Sequence, residues 1–173
     1  MKIVITGVPG SGKSTLAKAL AKKMKVQYLD LNAIAKKYAV KKKVGKEFEI
    51  DLHKLQRVLV GFLEGKTDFV LEGHLACEIK IPCDLVIILR CNPLVLAKRL
   101  ETRRYDRQKV VDNILAEAQD YFSINVEHNY LHFIEVDTTK RLSVAKLIKF
   151  ARARKGQRIN WNKALFILAS QGL

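Results

Sequence analysis

The stretch Lys2-Ile3-Val4-Ile5-Thr6-Gly7-Val8-Pro9-Gly10-Ser11-Gly12-Lys13-Ser14, continued by Thr15-Leu16-Ala17-Lys18-Ala19-Leu20-Ala21-Lys22-Lys23-Met24, decides how this chain is read. Residues 2–6 form a short β-branched apolar run, the pattern of a buried strand. Residues 15–24 are rich in strong helix formers. Between them, Gly7–Ser14 matches G-x-x-x-x-G-K-[ST]. The glycines allow a tight turn in which backbone N–H groups converge on phosphate oxygens, and the following helix adds the positive end of its dipole. In such a loop Gly10, Ser11, Gly12, Lys13, Ser14 and Thr15 surround the phosphates. Lys13 reaches the β- and γ-phosphates, and the Ser14 hydroxyl ligates Mg²⁺. The arrangement implies a site for a nucleoside triphosphate rather than a plain chain reversal.

Working outward, 173 residues with about half apolar (49%) are expected to form one globular core. No apolar run approaches the ~20 residues that span a bilayer, so no membrane partner is expected. The first residues read as core strand, so no signal peptide is expected. Cys77, Cys83 and Cys91 are odd in number and form no C-x-x-C pair. They read as reduced thiols of a cytoplasmic protein, or a nuclear one in a nucleated cell, and not as a zinc site.

Charge is the second informative feature. Thirty-two Lys and Arg against 17 Asp and Glu give a net charge of +15. From Thr138 to Leu173 there are nine basic residues (Lys140, Arg141, Lys146, Lys149, Arg152, Arg154, Lys155, Arg158, Lys163) and no acidic one. A second cluster comprises Lys36, Lys37, Lys41, Lys42, Lys43 and Lys46. Nucleotide binding does not require this much positive charge in the C-terminal third. Such a surface suits RNA or a ribonucleoprotein, with a solvated face tuned for solubility as the alternative.

Strand-like and helix-like segments alternate, which predicts an α/β fold around a parallel sheet. Strands are expected at Lys2–Thr6, Val26–Asp30, Asp68–Glu72, Asp84–Arg90 and Leu131–Val136. Helices are expected around Ser14–Met24, Asp51–Glu64, Pro93–Thr102, Arg107–Val126 and Ser143–Arg154, the last with Val144, Leu147, Ile148 and Ala151 on one stripe. Gly156 reads as a helix stop and Asn160 as the N-cap of one more short helix. Trp161, Leu165 and Leu168 share a face of that helix, which docks either on the body or on a partner.

The remaining residues sort the possible chemistries. A GTPase needs an N-K-x-D guanine reader, and Asn162-Lys163-Ala164-Leu165 lacks the aspartate. A chain this short with this loop favours a small kinase. In the segment Arg99-Leu100-Glu101-Thr102-Arg103-Arg104-Tyr105, Arg99 and Arg103 are four apart and so share a helix face. Paired there, their guanidinium forks can neutralise a transferring phosphoryl group. Phe69-Val70-Leu71-Glu72-Gly73-His74 ends the third strand in a carboxylate, and Glu72 can hold Mg²⁺ through water beside the loop. His74 can orient a phosphate or a water.

Leu89-Arg90-Cys91-Asn92-Pro93, the Arg99–Tyr105 segment, Lys109, Asp112-Asn113-Ile114 and Glu117 together resemble the short lid of the atypical adenylate kinases tied to small ribosomal subunit biogenesis, the family of the coilin-interacting nuclear ATPase. The resemblance covers about residues 1–155. It implies a three-layer P-loop NTPase, nucleoside monophosphate kinase fold with a five-stranded parallel sheet and a short lid. The kinase domain then spans 1–155, with an acceptor-binding region about 31–65 and a lid about 99–110, and residues 156–173 form a basic helical extension. Glu72 and His74 map onto the family's Asp-x-His, with Glu in place of Asp. Tyr28–Lys36 aligns with a stretch that ends in arginine, so Lys36 would contact the acceptor phosphate of AMP, with Asn32 and Ala33 lining the same pocket. Val136-Asp137-Thr138-Thr139 resembles the adenine-contacting turn, which assigns Asp137 and Thr138 to the base, Asp137 also being a turn former.

The resemblance implies adenylate kinase activity with ATPase activity, ATP and Mg²⁺ as cofactors, AMP as acceptor, and a small-subunit ribosomal protein or rRNA as partner. Two rival readings stay open. One is another small-molecule P-loop kinase, and the other is a nucleotide-switched RNA- or ribosome-binding factor whose turnover is incidental.

Overall fold

The computed structural model describes residues 1–44, 47–102 and 106–170, with the backbone alone over 41–44 and 47–48. In chain order, β1 (Lys2–Thr6) leads through the glycine loop into α1 (Lys13–Met24), and β2 (Gln27–Asp30) runs directly into α2 (Leu31–Lys37). An antiparallel hairpin of β3 (Lys41–Val44) and β4 (Glu47–Ile50) precedes α3 (Leu52–Leu63). β5 (Phe69–Glu72) is followed by a 3₁₀ turn at His74–Cys77. After β6 (Leu85–Arg90) come α4 (Pro93–Glu101), α5 (Arg107–Ala118) and α6 (Tyr121–Asn129). The last strand is β7 (Phe133–Asp137), followed by α7 (Val144–Ala153) and α8 (Asn162–Ser170).

Five strands form a parallel sheet in the order β2-β5-β1-β6-β7. The alternation of β1 shows why three layers result. Ile3 and Ile5 point to one face and pack with Leu16, Leu20 and Leu147 of α1 and α7. Val4 points to the other and joins Leu55, Leu59, Leu96, Ile114 and Val126 from α3 to α6. Both faces are covered at the centre of the sheet, so β1, β5 and β6 are near-continuous apolar runs, while the edge strands β2 and β7 carry polar residues as well. The connection from β1 runs to one side of the sheet and that from β5 to the other. The carboxyl ends of these two adjacent strands therefore flank a crevice, the usual ligand position in such sheets.

Caps set the helix starts. Asp30, Asp51, Asn92, Asp106 and Ser143 each accept a backbone N–H from the first turn of α2, α3, α4, α5 and α7. The five expected strands are present, with ends shifted by one or two residues. α2 and the β3–β4 hairpin have no counterpart among the expected elements. The lysine run of β3 reads as a charged cluster because charge is depleted in strands.

Two further differences have clear causes. The helix expected over Arg107–Val126 breaks between α5 and α6, where Asp120 adopts φ 58. The break lets the Asp120 carboxylate accept from the buried guanidinium of Arg90. Gly156 is not the stop of α7, since Arg154 ends it in the left-handed region with φ 48. The glycine is needed because a Cβ there would lie 2.6 Å from the carbonyl oxygen of Glu135. This close approach lets Gln157 donate to that carbonyl at 2.9 Å and cover the outer edge of β7.

α8 docks on the body. Leu168 and Ala164 are buried, and the Trp161 indole donates to Glu117 of α5 at 2.8 Å. Among the described residues no helix is long and apolar enough to cross a membrane.

Candidate active site

Between β1 and α1 the chain reverses against the end of β6 and the flank of α4. Gly7 has φ +133, and a Cβ there would fall 2.4 Å from the carbonyl oxygen of Leu89. Gly10 has φ +96, and its Cβ would fall 2.8 Å from Leu96 Cδ1. Only glycine combines these backbone angles with such close approach. Gly12 stands at the N-cap of α1 and caps the first turn with no side chain. With no side-chain cap there, the amides at that end suit a negatively charged ligand. Lys13 Nζ folds back across the loop to donate to Val8 O at 3.0 Å.

Beside the loop lies a cavity of about 300 Å³ whose walls include Lys13, Ser14, Asn32, Glu72, His74 and Lys109. Gly10, Gly12 and Thr15 also line it. Ser14 Oγ donates to Glu72 Oε1 at 2.7 Å, and the Tyr28 hydroxyl donates to the same oxygen at 3.1 Å. The loop serine and the strand-end carboxylate are thus in direct contact, though 58 residues apart in sequence. This pair of hard oxygen donors suits Mg²⁺. Among the described residues no cluster of three or more His, Cys, Asp or Glu gathers to hold a metal, here or elsewhere. Burial, together with the charges of Lys13 and Lys109, lowers the His74 pKa below its ordinary 6.5, with Glu72 opposing. The imidazole is therefore neutral at neutral pH and can both donate and accept a hydrogen bond.

The other sequence-derived candidates are placed as follows. Asn32 and Ala33 lie in the first turn of α2, where both amides donate to the Asp30 carboxylate. Lys36 is one turn further, exposed, and on the face of Asn32. It lies outside the cavity wall. Arg99 differs from the expectation that it faces the transferring phosphate. Its guanidinium donates to the carbonyls of Gly10 (3.4 Å), Thr138 (2.8 Å) and Thr139 (3.0 Å) and so ties the glycine loop to the loop after β7. Thr138 is buried, and its hydroxyl meets Ser11 O at 2.9 Å and Arg90 O at 2.8 Å, so that group holds the loop in place rather than standing open to a base. Ser11 is itself buried. Asp137 accepts the Thr139 N–H at 2.7 Å, the turn role open to it from sequence. Arg103, with Arg104 and Tyr105, lies outside the described residues.

Two site neighbours had no assigned role in the sequence. Lys109 enters because Asp106 caps α5 and sets where its first turn faces. Tyr28 enters through the β2–β5 pairing. A long-range strand pairing leaves no local signal, whereas the lysine was visible as part of the lid segment.

A family model described as an AAA domain matches residues 3–120. The chain belongs to that family. The AAA-domain stretch contains β1 to α5, and with them the glycine loop, Glu72, His74 and Lys109. Among relatives, a protein of Pyrococcus furiosus named putative adenylate kinase is 34% identical over 169 residues, covering 94% of this chain and 92% of its own length. Proteins of the same name from Thermococcus kodakarensis and Methanocaldococcus jannaschii are 35% and 32% identical, covering 94% and 96% of both chains. Among solved structures, shikimate kinase from Bacteroides thetaiotaomicron superposes with a TM-score of 0.58 at 19% identity over 87% of this chain and 95% of its own. The YorR protein of Bacillus subtilis, crystallised with phosphorylated GDP, gives 0.58 at 17% identity over 87% and 97%. These last two share the P-loop kinase fold.

Proposed function

We propose that this protein is a Mg²⁺-dependent adenylate kinase that converts ATP and AMP to two ADP and also hydrolyses ATP. The observation that carries the reading is the Ser14–Glu72 hydrogen bond of 2.7 Å beneath a glycine loop of triphosphate-binding pattern. The names of the archaeal relatives support adenylate as the acceptor class. Bound Mg²⁺ supplies charge neutralisation on the β- and γ-phosphates, and Ser14 with Glu72, the latter through water, are the residues that would hold it.

The loop amides and Lys13 orient the γ-phosphoryl group. The acceptor phosphate oxygen attacks phosphorus, the bridging P–O bond breaks, and its electron pair leaves with the ADP oxygen. His74, neutral and half-buried on the cavity wall with Lys13, orients a phosphate oxygen in transfer or a water in hydrolysis. Asn32 and Lys36 serve the acceptor. Lys109, and Arg103 by the lid resemblance, supply positive charge to the transferring group.

The exposed residues Arg152, Arg154, Lys155 and Arg158, in a sequence segment without carboxylates, support action on small ribosomal subunit or rRNA maturation. The test is an acceptor screen with purified protein, with and without small-subunit RNA. ADP formation that depends on AMP is the expected outcome. Transfer to a non-nucleotide acceptor indicates another small-molecule kinase. RNA-stimulated hydrolysis with AMP inert indicates a nucleotide-switched RNA factor.

A further inference from the structure

Tyr28 stands on β2, next to the strand that carries Glu72. In the β2–β5 register Tyr28 pairs with Val70 and Asp30 pairs with Glu72, so the phenol reaches diagonally along the pair to the carboxylate. Its hydroxyl donates to Glu72 Oε1 at 3.1 Å, and Ser14 Oγ donates to that same oxygen at 2.7 Å. Oε2 takes part in neither bond. Lys18 of α1 covers the face of the Tyr28 ring, with Nζ 5.5 Å from its centroid. A glutamate has one more side-chain torsion than an aspartate, so a single hydrogen bond does not hold its carboxylate in one orientation.

We propose that Tyr28 is a positioning residue for the phosphoryl-transfer site: with Ser14 it pins Oε1 of Glu72, so that Oε2 is presented to the hydration shell of the metal. The proposal rests on the reading of Glu72 as the metal-side carboxylate. Tyr28 acts through Glu72 and touches neither metal nor nucleotide.

Tyr28→Phe keeps the ring and its contact with Lys18 and removes only the donor. Binding of Mn²⁺ to the full chain with ADP, read by electron paramagnetic resonance, reports the metal role. Calorimetric ADP binding in EDTA reports nucleotide binding without metal. Mn²⁺ affinity should fall about three- to tenfold, the effect of losing one hydrogen bond, and metal-free ADP affinity should stay within about twofold. The Mn²⁺ measurement repeated in Glu72→Gln and in the double variant completes the cycle. Once Glu72 is replaced, removing the Tyr28 hydroxyl should change Mn²⁺ affinity no further. An unchanged Mn²⁺ affinity in Tyr28→Phe, or an equal loss in both backgrounds, overturns the proposal. If Glu72→Gln alone binds Mn²⁺ as the wild type does, the reading of Glu72 fails and the proposal falls with it.

Discussion

The indole N–H of Trp161 donates to Glu117 Oε1 at 2.8 Å, joining the C-terminal segment to the middle of the molecule. The same oxygen accepts Arg90 Nε at 2.8 Å and the Cys91 N–H at 3.0 Å. Arg90 is 1% exposed, and its other N–H groups meet Ser123 and Glu135 at 2.7 and 2.8 Å, the carbonyl of Glu117 at 3.2 Å, and Asp120. Burial disfavours the Arg90 charge, but Glu117, Asp120 and Glu135 hold its pKa above the ordinary value. β6, β7, α5 and α6 therefore meet at one guanidinium, and the segment before α8 joins them through Glu117.

Removing Arg90 leaves the Glu117 carboxylate buried without its counter-charge. Arg90→Ala should lower stability by about 3–5 kcal/mol, and Trp161→Phe, which deletes one donor, by about 1–2 kcal/mol. Urea unfolding measures both. A Trp161→Phe midpoint equal to that of the wild type would show that the docked segment contributes nothing through this bond.

Lys13 and Ser14 sit on the cavity wall and outside the buried core. Lys13→Ala and Ser14→Ala should each reduce turnover by about 10²-fold or more while the chain stays folded, Ser14→Ala losing no more than about 1–2 kcal/mol of stability for the one donor to Glu72 that it deletes. Wild-type rates at saturating ATP and Mg²⁺ would place the chemistry elsewhere.

His74 gives stability a pH dependence of known sign. Its folded pKa lies below 6.5, so as the pH falls the unfolded chain takes up the proton first. The stability associated with the neutral imidazole is complete above 6.5 and declines as the pH drops through 6.5 towards the lower folded value. His74→Gln has no such titration. Unfolding midpoints between about pH 7.5 and 5.5, chosen to span that window, should fall more steeply for wild type than for the variant. Parallel curves would remove His74 from the account.

The cluster Arg152, Arg154, Lys155 and Arg158 is exposed at the end of α7 and beyond it. Replacing all of them by glutamine should flatten the salt dependence of RNA binding by roughly one unit of slope for each phosphate no longer neutralised. ATP turnover without RNA should be unaffected. Identical salt slopes for wild type and variant would leave this charge as a solubility feature.

How much of the molecule is legible in its sequence depends on the range of the interactions. Gly7–Ser14 is a local motif. Its phosphate chemistry follows from the glycine backbone, the following helix and two side chains within one turn, all adjacent in sequence. The central strands β1, β5 and β6 are legible because burial on both faces forces near-continuous apolar runs. The β3–β4 hairpin is hidden because its lysines obey no burial pattern that the sequence displays. The break before α6 is hidden because its cause, the capture of Asp120 by Arg90, spans 30 residues.

By itself the sequence determined a parallel α/β fold, a phosphate loop at the end of the first strand and a carboxylate at the end of the third. Only the tertiary structure decided which groups complete the site. It placed Tyr28 and Ser14 on one oxygen of Glu72, turned Arg99 and Thr138 onto carbonyls of the loops, and seated Trp161 on the body. The physical reason is that a hydrogen bond forms between whatever donors and acceptors the packing of distant elements leaves within about 3 Å. Periodicity encodes which face of an element is buried, but not which element will lie against it.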